Sequence, residues 1–173
     1  MSNQRLPQYL QIAAVAALCA LAWAVWDAGY ERIVEVGDSA PRFSVKSDSG
    51  RTLTRSDFGG KVLVLNFWAT WCPPCIEEIP TLDAMQRRLA SEGVVVLAVS
   101  VDRNENTYRG FLNQAKVTFQ TAWDPEADIS ARYGTFKYPE TYIINRDGKV
   151  VAKYISNRNW MDEQILREIR SHL

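Results

Sequence analysis

Residues 61–80 read KVLVLNFWATWCPPCIEEIP, and the order of features along this stretch decides the fold. Residues 61–67 are a nearly continuous run of β-prone apolar side chains, as expected of a strand covered on both faces. A helical pattern follows over residues 73–91 and stops at Gly93. The pentapeptide Trp71-Cys72-Pro73-Pro74-Cys75 lies between them, so a CxxC pair falls where a buried strand turns into a long helix. A thiol at a helix N-terminus meets the positive end of the dipole and backbone N–H groups that lack helical partners. Both stabilise a thiolate.

Outward from this stretch, the chain alternates strand and helix. Residues 43–46 and 51–54 flank the turn Ser47-Asp48-Ser49-Gly50, a hairpin signal. Residues 94–101 read as a second buried strand. Residues 104–115 read as a helix, 119–123 as an extended segment and 125–133 as a short helix. Two strands, 141–145 and 150–155, surround the turn Arg146-Asp147-Gly148-Lys149, and a last helix covers 160–173 with Asn159 as its N-cap. The order predicts an α/β domain over residues 37–173: a mixed central sheet flanked by helices, with an N-terminal β-hairpin and a central helix-strand insertion.

The chain has 173 residues, with 20 basic and 20 acidic side chains in balance. No global field attracts nucleic acid, so none is expected as a partner. Residues 9–26 are apolar apart from Gln11, with Arg5 before them and Asp27, Gly29 and Glu31 after. About 20 apolar residues cross a bilayer core and about 17 can suffice. A transmembrane anchor over residues 9–27 is therefore expected, with residues 1–8 cytoplasmic, 28–36 a linker and the domain exported. Trp23 and Trp26 suit the interface. Ala20-Leu21-Ala22 and Ala22-Trp23-Ala24 also satisfy the small-x-small rule of a cleaved signal peptide. A buried core helix is the third reading, and the lack of a polar face speaks against it. Cys19 lacks the small residue before it that lipid attachment requires and reads as a small apolar side chain.

Four readings of the CxxC pair compete: a redox couple, half of a zinc site, a copper site, or two ordinary cysteines. Zinc and copper both need further Cys or His ligands, and the only histidine is His172, next to the end. The strand-to-helix corner favours the redox couple, which needs no metal and no cofactor. Cys72, at the corner, is the expected exposed nucleophile. Cys75, one turn in, is the expected resolving thiol. Pro73 and Pro74 have no N–H to give the Cys72 sulfur, which leaves the Cys75 and Ile76 amides. Fewer donors leave the thiolate less stabilised and point to a reductant.

At about 100° per residue, Cys75, Glu78, Leu82, Met85 and Leu89 form one stripe, with Ile79 at its edge and Glu77 pointing away. Glu78 is then a carboxylate on a core-facing stripe. Burial would raise its pKa and let it accept the Cys75 proton; pairing with a neighbouring cation is the bland alternative. Pro139 after Tyr138 is allowed at a strand start. It is also placed to form a cis bond beside the cysteines, leaving the Tyr138 backbone free for a bound polypeptide.

These residues resemble the thioredoxin superfamily, in its TlpA/ResA/CcmG (DsbE)-like branch of membrane-anchored thiol-disulfide oxidoreductases. The resemblance lies in residues 66–75 (NFWATWCPPC), Glu78, Pro80, residues 138–141 (YPET), residues 37–41 (GDSAP) and Phe43. It implies a cis Pro139 opposing the disulfide, with Trp71, Pro73, Tyr138 and Pro139 forming the substrate face. It implies a proton-transfer role for Glu78, and Asn66 stands where thioredoxins carry a buried Asp. It further implies a reductant acting at the bacterial cytoplasmic membrane, on the periplasmic or extracytoplasmic side, on disulfides of exported polypeptides such as apocytochrome c. Electrons would come from a membrane thiol carrier of the DsbD/CcdA type. Two other readings remain. A peroxiredoxin-like thiol peroxidase shares the N-terminal signature, but Ala69 and Leu65 stand where it needs Thr and Pro. A non-catalytic metal-carrier or binding module is the other.

Cell fractionation with N-terminal determination tests the export segment. Membrane-bound protein with an intact N-terminus is expected, whereas a soluble product beginning near Trp23 or Val25 would identify a cleaved signal.

Overall fold

The computed structural model describes residues 7–28 and 33–173, which fall in two compact units dividing after residue 32. The first holds helix α1, Gln8–Ala28, whose large apolar side chains Tyr9, Ile12, Val15, Leu18, Leu21 and Trp23 are exposed. Among the described residues no helix is long and apolar enough to cross a membrane, and the expected anchor over residues 9–27 runs into positions whose side chains lie outside them. Arg5, Gly29, Glu31 and the side chains of Trp26 and Asp27 lie outside the described residues.

The second unit starts at Ile33, inside the expected 28–36 linker. Val34 is buried, and its N–H donates to the Tyr133 carbonyl at 3.1 Å. Strands β1 (Ser44–Lys46) and β2 (Thr52–Thr54) pair as the expected antiparallel hairpin. The main sheet contains β3 (Val62–Trp68), β4 (Val94–Ser100), β5 (Gln120–Trp123), β6 (Glu140–Ile144) and β7 (Val150–Ile155). Their order is β5-β4-β3-β6-β7, parallel from β3 to β5 and antiparallel through β6 and β7. The sheet is mixed, as the sequence predicts.

Strand β3 is buried along its whole length and alternates between two cores. Val62, Val64 and Trp68 join the core of helices α2 (Pro73–Leu89) and α5 (Glu163–Arg170). Leu63, Leu65 and Phe67 join the core that includes the hairpin and helix α4 (Asp128–Arg132). Asn66 falls on the α2 side by the same alternation, in a place an aliphatic side chain would otherwise fill. On α2, Cys75, Glu78, Ile79, Leu82, Met85 and Leu89 are all buried, as the stripe requires. Asp83 is buried as well. It accepts from the Thr118 N–H at 2.6 Å and the Thr118 hydroxyl at 2.7 Å, which tethers the loop after helix α3 (Glu105–Ala115) to α2.

Two expected boundaries move. Helix α4 occupies only part of 125–133. Helix α5 starts at Glu163 with Asp162 as its N-cap, not at Trp160 with Asn159. The cause is tertiary: the Trp160 N–H donates to Thr81 Oγ1 and the Arg158 N–H to Glu78, so residues 156–160 are drawn across α2 before a helix can begin.

The loop leading to the cysteines is pinned by buried Asp102, just beyond β4. Its carboxylate accepts from the Thr70 N–H at 3.0 Å, the Thr70 hydroxyl at 2.6 Å and the Ser100 hydroxyl at 2.6 Å. An unsatisfied buried donor costs about 1–3 kcal/mol. Asp102→Ala should therefore lower unfolding stability by about 3 kcal/mol in urea denaturation with an unchanged m-value. A loss below about 1 kcal/mol would show that the loop is held by other contacts.

Candidate active site

Strand β3 ends at Trp68, and helix α2 begins at Pro73 with Cys72 as its N-cap. Proline at the first helical position loses nothing there, since that N–H has no helical acceptor. Cys72 and Cys75 are joined as a disulfide, with an S–S distance of 2.13 Å. The Cys75 N–H donates to Cys72 Sγ at 3.3 Å. The Ile76 N–H, also expected at the sulfur, instead donates to the Cys72 carbonyl at 3.2 Å as an ordinary helical bond. Cys72 was expected to be exposed, yet it keeps only 6% of its surface while Cys75 keeps none. Both belong to the apolar cluster on the α2 side of the sheet.

Glu78 lies one turn along α2 from Cys75, on the same buried stripe, and is 2% exposed. Its Oε1 accepts from Asn66 Nδ2 at 2.8 Å. Its Oε2 accepts from the Arg158 N–H and from Trp160 Nε1, both at 3.1 Å. Desolvation by burial is the largest influence on this carboxyl and raises its pKa to about 7, against the lowering effect of the three donors and of the Arg158 charge. Glu77 is exposed, as expected, and its carboxylate accepts from Asn157 Nδ2 at 3.0 Å. Helix periodicity placed Glu78 correctly but could not name its partners. Asn66 in an otherwise apolar strand was the available signal. Nothing local to Trp160 marks it, because 82 residues separate it from Glu78.

The Tyr138-Pro139 bond is cis. Pro139 leads directly into β6, whose Thr141 Oγ1 accepts from Asn66 Nδ2 at 2.9 Å, so the proline strand and the Glu78 cluster share a hydrogen-bond partner. Trp71 is 62% exposed and meets the Tyr138 ring edge-on, with centroids 6.0 Å apart. Phe136 is exposed nearby in sequence. A cleft of about 470 Å³, lined by Thr70, Trp71, Arg103, Asn104 and Thr107 among others, opens beside the loop before Cys72. The structure therefore brings Trp71 and Tyr138 together beside the cysteine loop. It also buries Glu78 on the same helix as Cys75, one turn away. The arrangement supplies a sulfur pair, a buried carboxylate poised to take or give a proton near neutral pH, and an exposed aromatic surface.

Comparison with known proteins agrees with this chemistry. Residues 36–153 match the AhpC/TSA family. The thiol-disulfide oxidoreductase ResA of Bacillus subtilis (strain 168) is 34% identical over 137 residues, 78% of this chain and 76% of the relative. The thioredoxin-like protein YneN of the same organism is 36% identical over 119 residues, 68% of this chain and 69% of that protein. A crystal structure from Chlorobium tepidum, assigned as thiol:disulfide interchange protein DsbE, is 32% identical with a TM-score of 0.75, over 80% of this chain and 98% of that one. The chain belongs to the AhpC/TSA family and, among its thioredoxin-like members, is a thiol-disulfide oxidoreductase of the ResA and DsbE type.

Proposed function

We propose that this oxidoreductase is a reductant of disulfides in exported polypeptides, and that apocytochrome c before haem attachment is its client. The observation that carries the mechanism is Glu78, a buried carboxylate one turn from Cys75 with its pKa raised to about 7. In the dithiol form the Cys72 thiolate attacks the client disulfide, forming a mixed disulfide and releasing one client sulfur. Glu78 takes the proton of Cys75, whose thiolate then attacks Cys72 Sγ. The bond from Cys72 to the client breaks, the second client sulfur leaves and is protonated, and the protein is left with the Cys72–Cys75 disulfide. A membrane thiol carrier of the DsbD/CcdA type restores the dithiol. Trp71, Pro73, Tyr138 and Pro139 form the face on which the client lies.

The reducing direction is supported by the donors around Cys72. Pro73 and Pro74 have no N–H, and the Cys75 amide at 3.3 Å donates to the sulfur. A weakly stabilised thiolate makes the dithiol the better electron donor. Ala69 and Leu65, where a thiol peroxidase needs Thr and Pro, speak against peroxide chemistry. The place of action we propose is the extracytoplasmic side of the bacterial cytoplasmic membrane, with the apolar run 9–26 as export segment or anchor. Arg5 before it and acidic residues after it support that orientation.

Three measurements follow from this mechanism. Equilibration with dithiothreitol should give a potential nearer the roughly −270 mV of thioredoxin than the roughly −120 mV of DsbA. A value near the latter would reverse the proposed direction. Cys75→Ala should trap clients on Cys72, with cytochrome precursors among them; abundant clients without such precursors would reject the haem-maturation role. As Glu78 must be ionised to accept a proton, exchange should accelerate as pH rises through about 7. Glu78→Gln should slow exchange by about 10²-fold and abolish that limb, whereas Glu77→Gln should leave it in place. Equal rates for the two variants across the pH range would remove Glu78 from the mechanism.

A further inference from the structure

Residues 156–160 cross α2 as a strap tied at several points. Asn157 Nδ2 donates to Glu77, the Arg158 N–H to Glu78 Oε2 and the Trp160 N–H to Thr81 Oγ1. Trp160 is fully buried, and its ring meets Tyr154 edge-on with centroids 5.5 Å apart. Its indole Nε1–H donates to Glu78 Oε2 at 3.1 Å.

We propose that Trp160 is a positioning residue that selects which oxygen of Glu78 receives the Cys75 proton. The inference rests on the proton-relay reading above. A carboxylate oxygen has two in-plane lone pairs. Those of Oε2 are taken by the Arg158 N–H and Trp160 Nε1–H, both at 3.1 Å. Oε1 accepts from Asn66 Nδ2 at 2.8 Å and keeps one lone pair for a proton. An indole N–H donates and never accepts, so a proton on Oε2 would face two donors and break at least one bond. The proton leaving Cys75 Sγ therefore arrives on Oε1. The strap keeps its grip on Oε2 while Cys75 attacks Cys72.

The surroundings isolate the indole's influence. Strands β3 and β6 present the neutral Asn66 and Thr141, and Glu77 on the same helix is exposed and held by Asn157. The cysteine pair lies one turn away on α2, and the strap contributes the Arg158 guanidinium, whose charge favours the ionised form. Trp160→Phe keeps most of the ring and all of these charges while removing one donor from the carboxylate.

The test is the pH profile of disulfide exchange by the full chain carrying Trp160→Phe. Losing a donor destabilises the carboxylate more than the protonated acid, so the limb near neutrality should move up by about one pH unit, the excess of a charge-assisted hydrogen bond over a neutral one. Exchange at pH 7 should fall several-fold and recover above the new midpoint, which damage to the fold would not do. An unmoved limb, or a loss equal at every pH, overturns the proposal. The Glu78→Gln profile separates the two ideas. If that variant keeps the wild-type limb, the relay itself is wrong and Trp160 has nothing to position. If it loses the limb while Trp160→Phe keeps it, the relay stands and the positioning role fails. Should Trp160→Phe not fold, the indole ¹⁵N–¹H resonance of Trp160 in the wild-type dithiol protein gives the answer. It should titrate with the same midpoint as exchange, and a flat response overturns the assignment.

Discussion

The hydrogen bond from Asn66 Nδ2 to Glu78 Oε1, 2.8 Å long, joins the central strand to the helix that carries both cysteines. Because Asn66 also donates to Thr141 Oγ1, the same amide reaches the strand that follows cis Pro139. Two consecutive elements, β3 and α2, are thereby tied to the distant strand β6 through one amide. The bond is possible because β3 alternates, placing Asn66 on the α2 side between Val64 and Trp68. A one-residue slip of β3 would turn the amide into the opposite core and leave Glu78 without that donor.

The balance at Glu78 shows which force prevails. Burying a carboxylate costs several kcal/mol after relaxation, and a hydrogen bond to a charged group returns about 1.5–3 kcal/mol. Three donors offset much of the penalty but do not cancel it, and the pKa rises to about 7. A fully compensated carboxylate would remain ionised and be a poor proton acceptor. An uncompensated one would stay protonated and be unable to accept at all. The site lies between these limits, where a group can exchange protons near neutral pH.

Glu140 provides the contrast within the same sheet. It follows Pro139 immediately, is equally buried, and lies on the opposite face by strand alternation. There it accepts from the Tyr142 hydroxyl at 2.8 Å and pairs with Lys153 Nζ at 3.3 Å. Lys153 also holds the Val34 carbonyl and Glu35, so this carboxylate anchors the start of the folded unit to β6 and β7. Two buried glutamates on opposite faces thus differ in their surroundings: one faces a buried ammonium, the other neutral donors and a guanidinium exposed to solvent.

Local sequence determined the parts of this protein that depend on neighbours along the chain. The β-prone run before the cysteines, the proline-led helix after them and the stripe that buries Glu78 all follow from backbone periodicity. So does the hairpin around Ser47-Asp48-Ser49-Gly50. Tertiary structure alone decided what those parts meet. That Cys72 is covered, that the folded unit begins at Ile33 and that α5 starts only at Glu163 are outcomes of contacts between distant segments. The strap shows why: an Arg158 N–H and a Trp160 indole become donors to Glu78 only when the sheet folds residues 156–160 back over α2. Periodicity predicts which face of a helix is buried, whereas the donors that tune a buried charge come from whichever distant segment packs against that face.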